Sequence, residues 1–136
     1  MQGVASPSKH IQRREDDLIV FEADGVIEEA DVEATLQISA DILRTHPQYW
    51  ILVDLRKLTG VEATARRRAA TSPQNKQLAG VAAFGASTLM RSLITLIVRA
   101  MVMLGHSQLV MRFFETEAEA RAWLAEQRTP PTPATR

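Results

Sequence analysis

The sequence predicts a single α/β domain with a mixed sheet of about five strands and about four helices. Three observations predict it. Residues 49–55, YWILVDL, form a continuous apolar run too short for a helix, which is the pattern of a strand buried on both faces. After an opening pair of strand-like runs, helix-period segments alternate with strand-like ones, and strands separated by helices imply right-handed crossovers and parallel pairing. The chain has 136 residues, 46% of them hydrophobic and 24% charged, enough for one core and no second domain.

Taken in order, residues 1–10 lack the apolar run of a secretory signal and are expected to form a flexible lead, with the domain over 11–128. Residues 11–14 and the string DLIVFEADGVI read as a first and a second strand in a hairpin, parted by Glu15-Asp16-Asp17; Asp24-Gly25 is a further turn signal. In EEADVEATLQISADILRTHP, Val32, Leu36, Ser39 and Leu43 recur at helical spacing. Glu28, Glu29 and Asp31 complement its first turn, and Pro47 ends it. Residues 49–55 are the expected central strand. Residues 62–76 are helix-competent but polar, with Ala65, Ala69 and Ala70 as small contacts, so this helix should pack lightly. Residues 78–85 return to a strand in which Gly80, Ala82 and Ala83 permit close approach.

In the helix expected over 88–105, Thr88, Arg91, Ser92, Thr95 and Arg99 form a narrow polar stripe on an otherwise apolar surface, which predicts burial on more than one side. Arg91 and Arg99 make a membrane span unfavourable, at about 2.5–3.5 kcal/mol for a charge at the centre of a spanning helix. Residues 108–114 read as the last strand. The last helix opens on Thr116 with Glu119 three residues on, a capping box, and packs through Ala120, Trp123 and Leu124. The Pro-rich tail 129–136 is expected to be disordered.

Lys plus Arg and Asp plus Glu number 16 each, so no net charge would hold the whole molecule on nucleic acid. The absence of cysteine excludes thiol chemistry and is compatible with a reducing cytoplasm, the expected location. His10, His46 and His106 lie in separate segments as surface or turn residues, and neither a metal nor a cofactor is expected. Asp54 is either a structural acceptor or a ligand at a strand end. Met90, Met101 and Met103 read as core.

The order of elements, together with VDLRKLTG at 53–60, AAFGASTLMR at 82–91 and FETEAEARAWL at 114–124, resembles the SpoIIAA-like branch of the STAS domains, a group also compared with the lipid-carrying CRAL-TRIO fold. The resemblance implies a small domain without catalysis that docks other proteins, as anti-sigma factor antagonists do, under control of phosphorylation. The antagonists' phosphorylated string falls on Glu62-Ala63-Thr64-Ala65, which makes Thr64 the acceptor, although the Ser-Gly pair of that string is absent here.

Thr64, or Thr59, alternatively caps the helix. Arg66, Arg67 and Arg68 would hold an anion there, or form a solvated face. A second anion-binding candidate is FGASTLMR, with Ser87, Thr88 and Arg91; its plainer reading is a capped helix after a tight joint. The expected activity is therefore interaction with another protein or with itself, as a homodimer, through Leu89, Leu93, Leu96, Ile97 and Met101. The alternative is a small apolar ligand held by the same helix, with room made by Ala82, Ala83, Gly85 and Ala86 and an acidic head group met by Arg91 or Arg99. An enzyme acting through Ser87 ranks last, because no nucleophile, base and orienter fall together.

Overall fold

The computed structural model describes residues 9–105 and 108–128. The expected lead up to residue 8, His106 and the tail 129–136 lie outside the described residues. Five strands, β1 (Ile11–Glu15), β2 (Leu18–Ile27), β3 (Tyr49–Val61), β4 (Leu78–Phe84) and β5 (Val110–Phe114), form one sheet in the order β1-β2-β3-β4-β5. The hairpin pair β1/β2 is antiparallel and all other pairs are parallel, so β3 is central. Four α-helices connect or close the strands: α1 (Glu29–Leu43), α2 (Ala63–Thr71), α3 (Thr88–Gly105) and α4 (Glu117–Arg128).

The alternation of side chains along the strands divides the core in two. Leu18, Val20, Trp50, Leu52, Ala82 and Phe84 face α4, where Ala120, Trp123 and Leu124 cover them. Burying a side chain of this size stabilises by about 1.5–3 kcal/mol. Thr116 and Glu119 fix the start of α4 as a capping box: the Thr116 hydroxyl accepts from the Glu119 N–H at 3.2 Å, and the Glu119 carboxylate accepts from the Thr116 N–H. On this face Gly80 lies under Trp50, and a Cβ there would stand 2.7 Å from the indole. The opposite residues, among them Ile19, Phe21, Leu55, Val81 and Ala83, pack against the α1, α2 and α3 side.

Five expectations are corrected. Asp24-Gly25 is not a turn: it lies within β2 at a pair of register shifts, with Gly25 at φ 97°. The His10 ring secures this bulge, its Nδ1 accepting from the Asp24 N–H at 2.9 Å and its Nε2 lying 2.9 Å from the Val26 carbonyl. A side chain with only 2% exposure is therefore not a surface histidine. β3 continues past Leu55 to Val61, because Leu58 and Val61 find the same apolar face as Leu55. The helix after it stops at Thr71, since Pro73 cannot supply the next N–H, and a short 3-10 turn, Pro73–Gln77, follows.

Finally, α3 is not buried on more than one side. Only Met90 and Met101 are fully buried, and Met103, read as core, is 75% exposed. With α4 on the far face of the sheet and α2 beside α3, no element of the described chain covers its outer surface.

Candidate functional site

The corner between β3 and α2 carries the first candidate. Glu62 occupies the N-cap with no side-chain capping bond, and Thr64 is the second helical residue, exposed; Thr59 is within β3. Neither threonine caps the helix, contrary to the plainer expectation. Thr64 lines a shallow hollow with Glu29, Arg67, Arg68 and Thr71, so two of the three arginines share its surroundings. The three arginines otherwise separate. Arg66 donates to the Val61 carbonyl at 2.8 Å, Arg68 is paired with Glu33 and holds that carboxyl below its ordinary range, and the Arg67 guanidinium bonds to none of the described residues.

The joint between β4 and α3 is the second. Gly85, at φ 78°, turns the chain beneath Arg56, where a Cβ would stand 2.2 Å from the arginine's Cγ. The Ser87 hydroxyl accepts from the Met90 N–H at 3.2 Å, so it serves as the cap of α3. Arg91 does not return to Ser87 and Thr88; its guanidinium lies 4.9 Å from the centre of the Phe113 ring. Asp54 sits inside β3 rather than at its end. Burial raises its pKa, but bonds from the Arg56 N–H and guanidinium outweigh this and hold the carboxyl below its ordinary range.

The five residues expected on one face of α3 point in different directions. Ile97 and Met101 turn inward, where they line an apolar cavity of about 160 Å³ between the sheet and the helices. Leu89 and Leu96 turn outward and are 71% and 62% exposed, with Met103 at 75% and Leu104 at 63%. Leu93 and Leu96 enter a groove between α2 and α3.

Sequence reasoning missed most of the cavity wall. Val32, Thr35 and Leu36 of α1 and Ala65 and Ala69 of α2 line it, with Tyr49 and Asn75 as polar members. The spacing of 65 and 69, one helical turn, was the available signal. The residues expected to make room, Ala82, Ala83, Gly85 and Ala86, are not in this wall, and Ala82 lies on the α4 side of the sheet. Arg91 and Arg99 are likewise outside it, in a shallow surface hollow with Ser92, Thr95 and Leu96. The Tyr49 hydroxyl is buried; burial pushes its pKa up to about 12, with the hydrogen bond to Ser39 pulling partly the other way. No three metal-ligating side chains gather among the described residues.

This geometry provides surfaces and a cavity; Ser87 caps α3, and among the described residues neither His10 nor His46 is bonded to it. None of the curated proteins matches the chain. Among solved structures, an uncharacterized protein of the DUF3478 family from Shewanella loihica PV-4, with a SpoIIAA-like fold, is similar at 21% identity. The match covers 90% of this chain and 99% of that one, with a TM-score of 0.61, and shows a shared fold. The SpoIIAA-like family model matches residues 18–125, from the first residue of β2 into α4, and the chain belongs to the SpoIIAA-like family of STAS-type domains.

Proposed function

We propose that this domain is a non-catalytic interaction module of the cytoplasm that docks another protein, or a second copy of itself, through the outer face of α3. The observation that carries this reading is the exposure, above 60%, of Leu89, Leu96, Met103 and Leu104 on one helix. A run of large apolar side chains in water marks an interaction surface. A phosphate on Thr64 would sit beside Arg67 and Arg68 and change the charge at the edge of the α2/α3 surface, which is how modulation would reach the docking face. Hydrogen exchange of the purified chain, alone and in concentrated extract of its source cell, tests the reading. Protection of α3 amides that depends on concentration or extract and is lost in Leu96→Asp supports it. Unchanged exchange in α3 under every condition overturns it.

The cavity favours a second reading, a carrier or sensor of a small apolar ligand. Its volume decides the order of the two. At about 160 Å³ it is close to cavities that hold a molecule of benzene size, and below the roughly 300–1,000 Å³ usual for ligand pockets. A long acyl chain does not fit without movement of α3. Extraction of gently purified protein followed by mass spectrometry tests this reading, and it fails if no stoichiometric small molecule appears and none is taken up from added short-chain hydrocarbons.

A further inference from the structure

The groove between α2 and α3 has a composition that narrows the kind of partner. It is about 510 Å³ in volume, with Leu93, Leu96 and Ala100 of α3 and Ala63 and Ala70 of α2 as its apolar wall. Along α3 the apolar stripe Leu89-Leu93-Leu96-Ala100-Met103 advances by alternate steps of four and three, the spacing that lets one helix seat another. At 1.5 Å per residue the stripe is roughly 21 Å long, about four helical turns.

Its charge is one-sided. The segments ATARRRAAT and TLMRSLITLIVRAMVMLG hold five arginines and no carboxylate. Arg68 is neutralised by Glu33, whereas Arg66, Arg67, Arg91 and Arg99 have no carboxylate partner among the described residues. Elsewhere among the described residues Arg13, Arg14, Arg44, Arg56, Arg121 and Arg128 each meet an Asp or Glu within 4.0 Å, and of the arginines only Arg112 does not. Arg66 and Arg67 stand on the α2 side of the groove, and Arg91 and Arg99 share a hollow with Leu96 on the other side. These four arginines thus flank the exposed apolar stripe.

We infer that this groove receives an acidic amphipathic helix of a partner protein, its apolar side on the α3 stripe and its carboxylates toward Arg66 and Arg67 on one side and Arg99 on the other. The inference rests on the docking reading and names its partner. A second copy presenting the same face would set four unpaired guanidiniums against four, which disfavours a symmetric pair. A flat lipid surface does not enter a hollow between two helices, whereas the side chains along one face of a helix would.

The test uses the full chain and two synthetic peptides of about 20 residues with Leu at helical spacing. One carries Glu and the other Lys at all flanking positions, and both are followed by fluorescence anisotropy and by amide shifts in α2 and α3. The Glu peptide is expected to bind at least about tenfold tighter, with shifts confined to the groove. Most of that preference should vanish between about 0.1 M and about 1 M salt, where the screening length falls from about 10 Å to about 3 Å. Arg67→Glu, at an exposed residue whose guanidinium bonds to none of the described residues, is expected to abolish the preference, and Leu96→Asp the binding.

Equal affinity for both peptides, or shifts outside α2 and α3, overturns the inference. So does recruitment to vesicles of equal parts phosphatidylcholine and phosphatidylserine without any binding of the Glu peptide. If the peptides fail but the chain self-associates and Leu96→Asp disperses it, the partner assignment falls while the docking reading stands. If neither peptide nor self-association perturbs α3, the inference falls, and the docking reading falls with it when extract of the source cell also leaves α3 exchange unchanged.

Discussion

Tyr49 is the one tyrosine of the chain, so its ionisation can be followed without assignment. It is 1% exposed, at the floor of the apolar cavity. Its burial raises the phenol from its ordinary 10.0 to about 12. In the unfolded chain the proton leaves near pH 10. Between about pH 10 and about pH 12 the unfolded state therefore binds fewer protons than the folded one, and stability falls as pH rises. The tyrosine's contribution is complete below about pH 10 and lost above about pH 12. Two pH units at about 1.36 kcal/mol each amount to about 3 kcal/mol. For a domain of this length that is a loss of about 10 °C in Tm.

The assay is tyrosinate absorbance against pH with circular dichroism on the same samples, and thermal melts of the wild type and Tyr49→Phe. The wild type should lose about 10 °C more than the variant between the two pH values. Removing the hydroxyl at neutral pH costs about 1 kcal/mol through its contact with Ser39. Tyrosinate appearing near pH 10 while the circular dichroism is still that of the folded chain refutes the reasoning, because the hydroxyl is then in water and the cavity is wet.

Three further outcomes are expected. Ala69→Leu projects a larger side chain into the cavity of about 160 Å³. At about 24 cal/mol per Å³, filling half of it recovers up to about 2 kcal/mol, so thermal melts should shift upward and any apolar ligand uptake should fall. Gly80→Ala places a Cβ 2.7 Å from the Trp50 ring and 3.0 Å from the Val110 carbonyl. The overpacking should cost about 1–3 kcal/mol in denaturant unfolding, with a change in tryptophan fluorescence. Thr116→Ala should cost about 1 kcal/mol because it removes a cap, while Thr64→Ala, which caps nothing, should stay within about 0.5 kcal/mol in the same unfolding measurement.

The order of strands and helices was legible because it depends on local pattern. The strand at YWILVDL needs only its continuous apolar run, and the capping box at Thr116 and Glu119 involves neighbours four residues apart or fewer. Where a local signal competes with a distant contact, the distant contact decides. Asp24-Gly25 reads as a turn but is held in the sheet by pairing with β3 and by the His10 ring.

The candidate surface was legible in part. Composition showed that α3 has more apolar surface than one side of contact requires, and this is a property of the sequence alone. Whether that surplus faces the core, a cavity or water depends on which elements pack beside it. The placement of α4 on the opposite face of the sheet leaves Leu89, Leu96 and Met103 uncovered. The cavity belongs wholly to the tertiary structure, since its wall joins α1, α2, α3 and three strands whose residues are distant in sequence. The unpaired arginines belong to both: the sequence contains the run Arg66, Arg67 and Arg68, and only the fold pairs Arg68 with Glu33 and leaves Arg67 without a carboxylate.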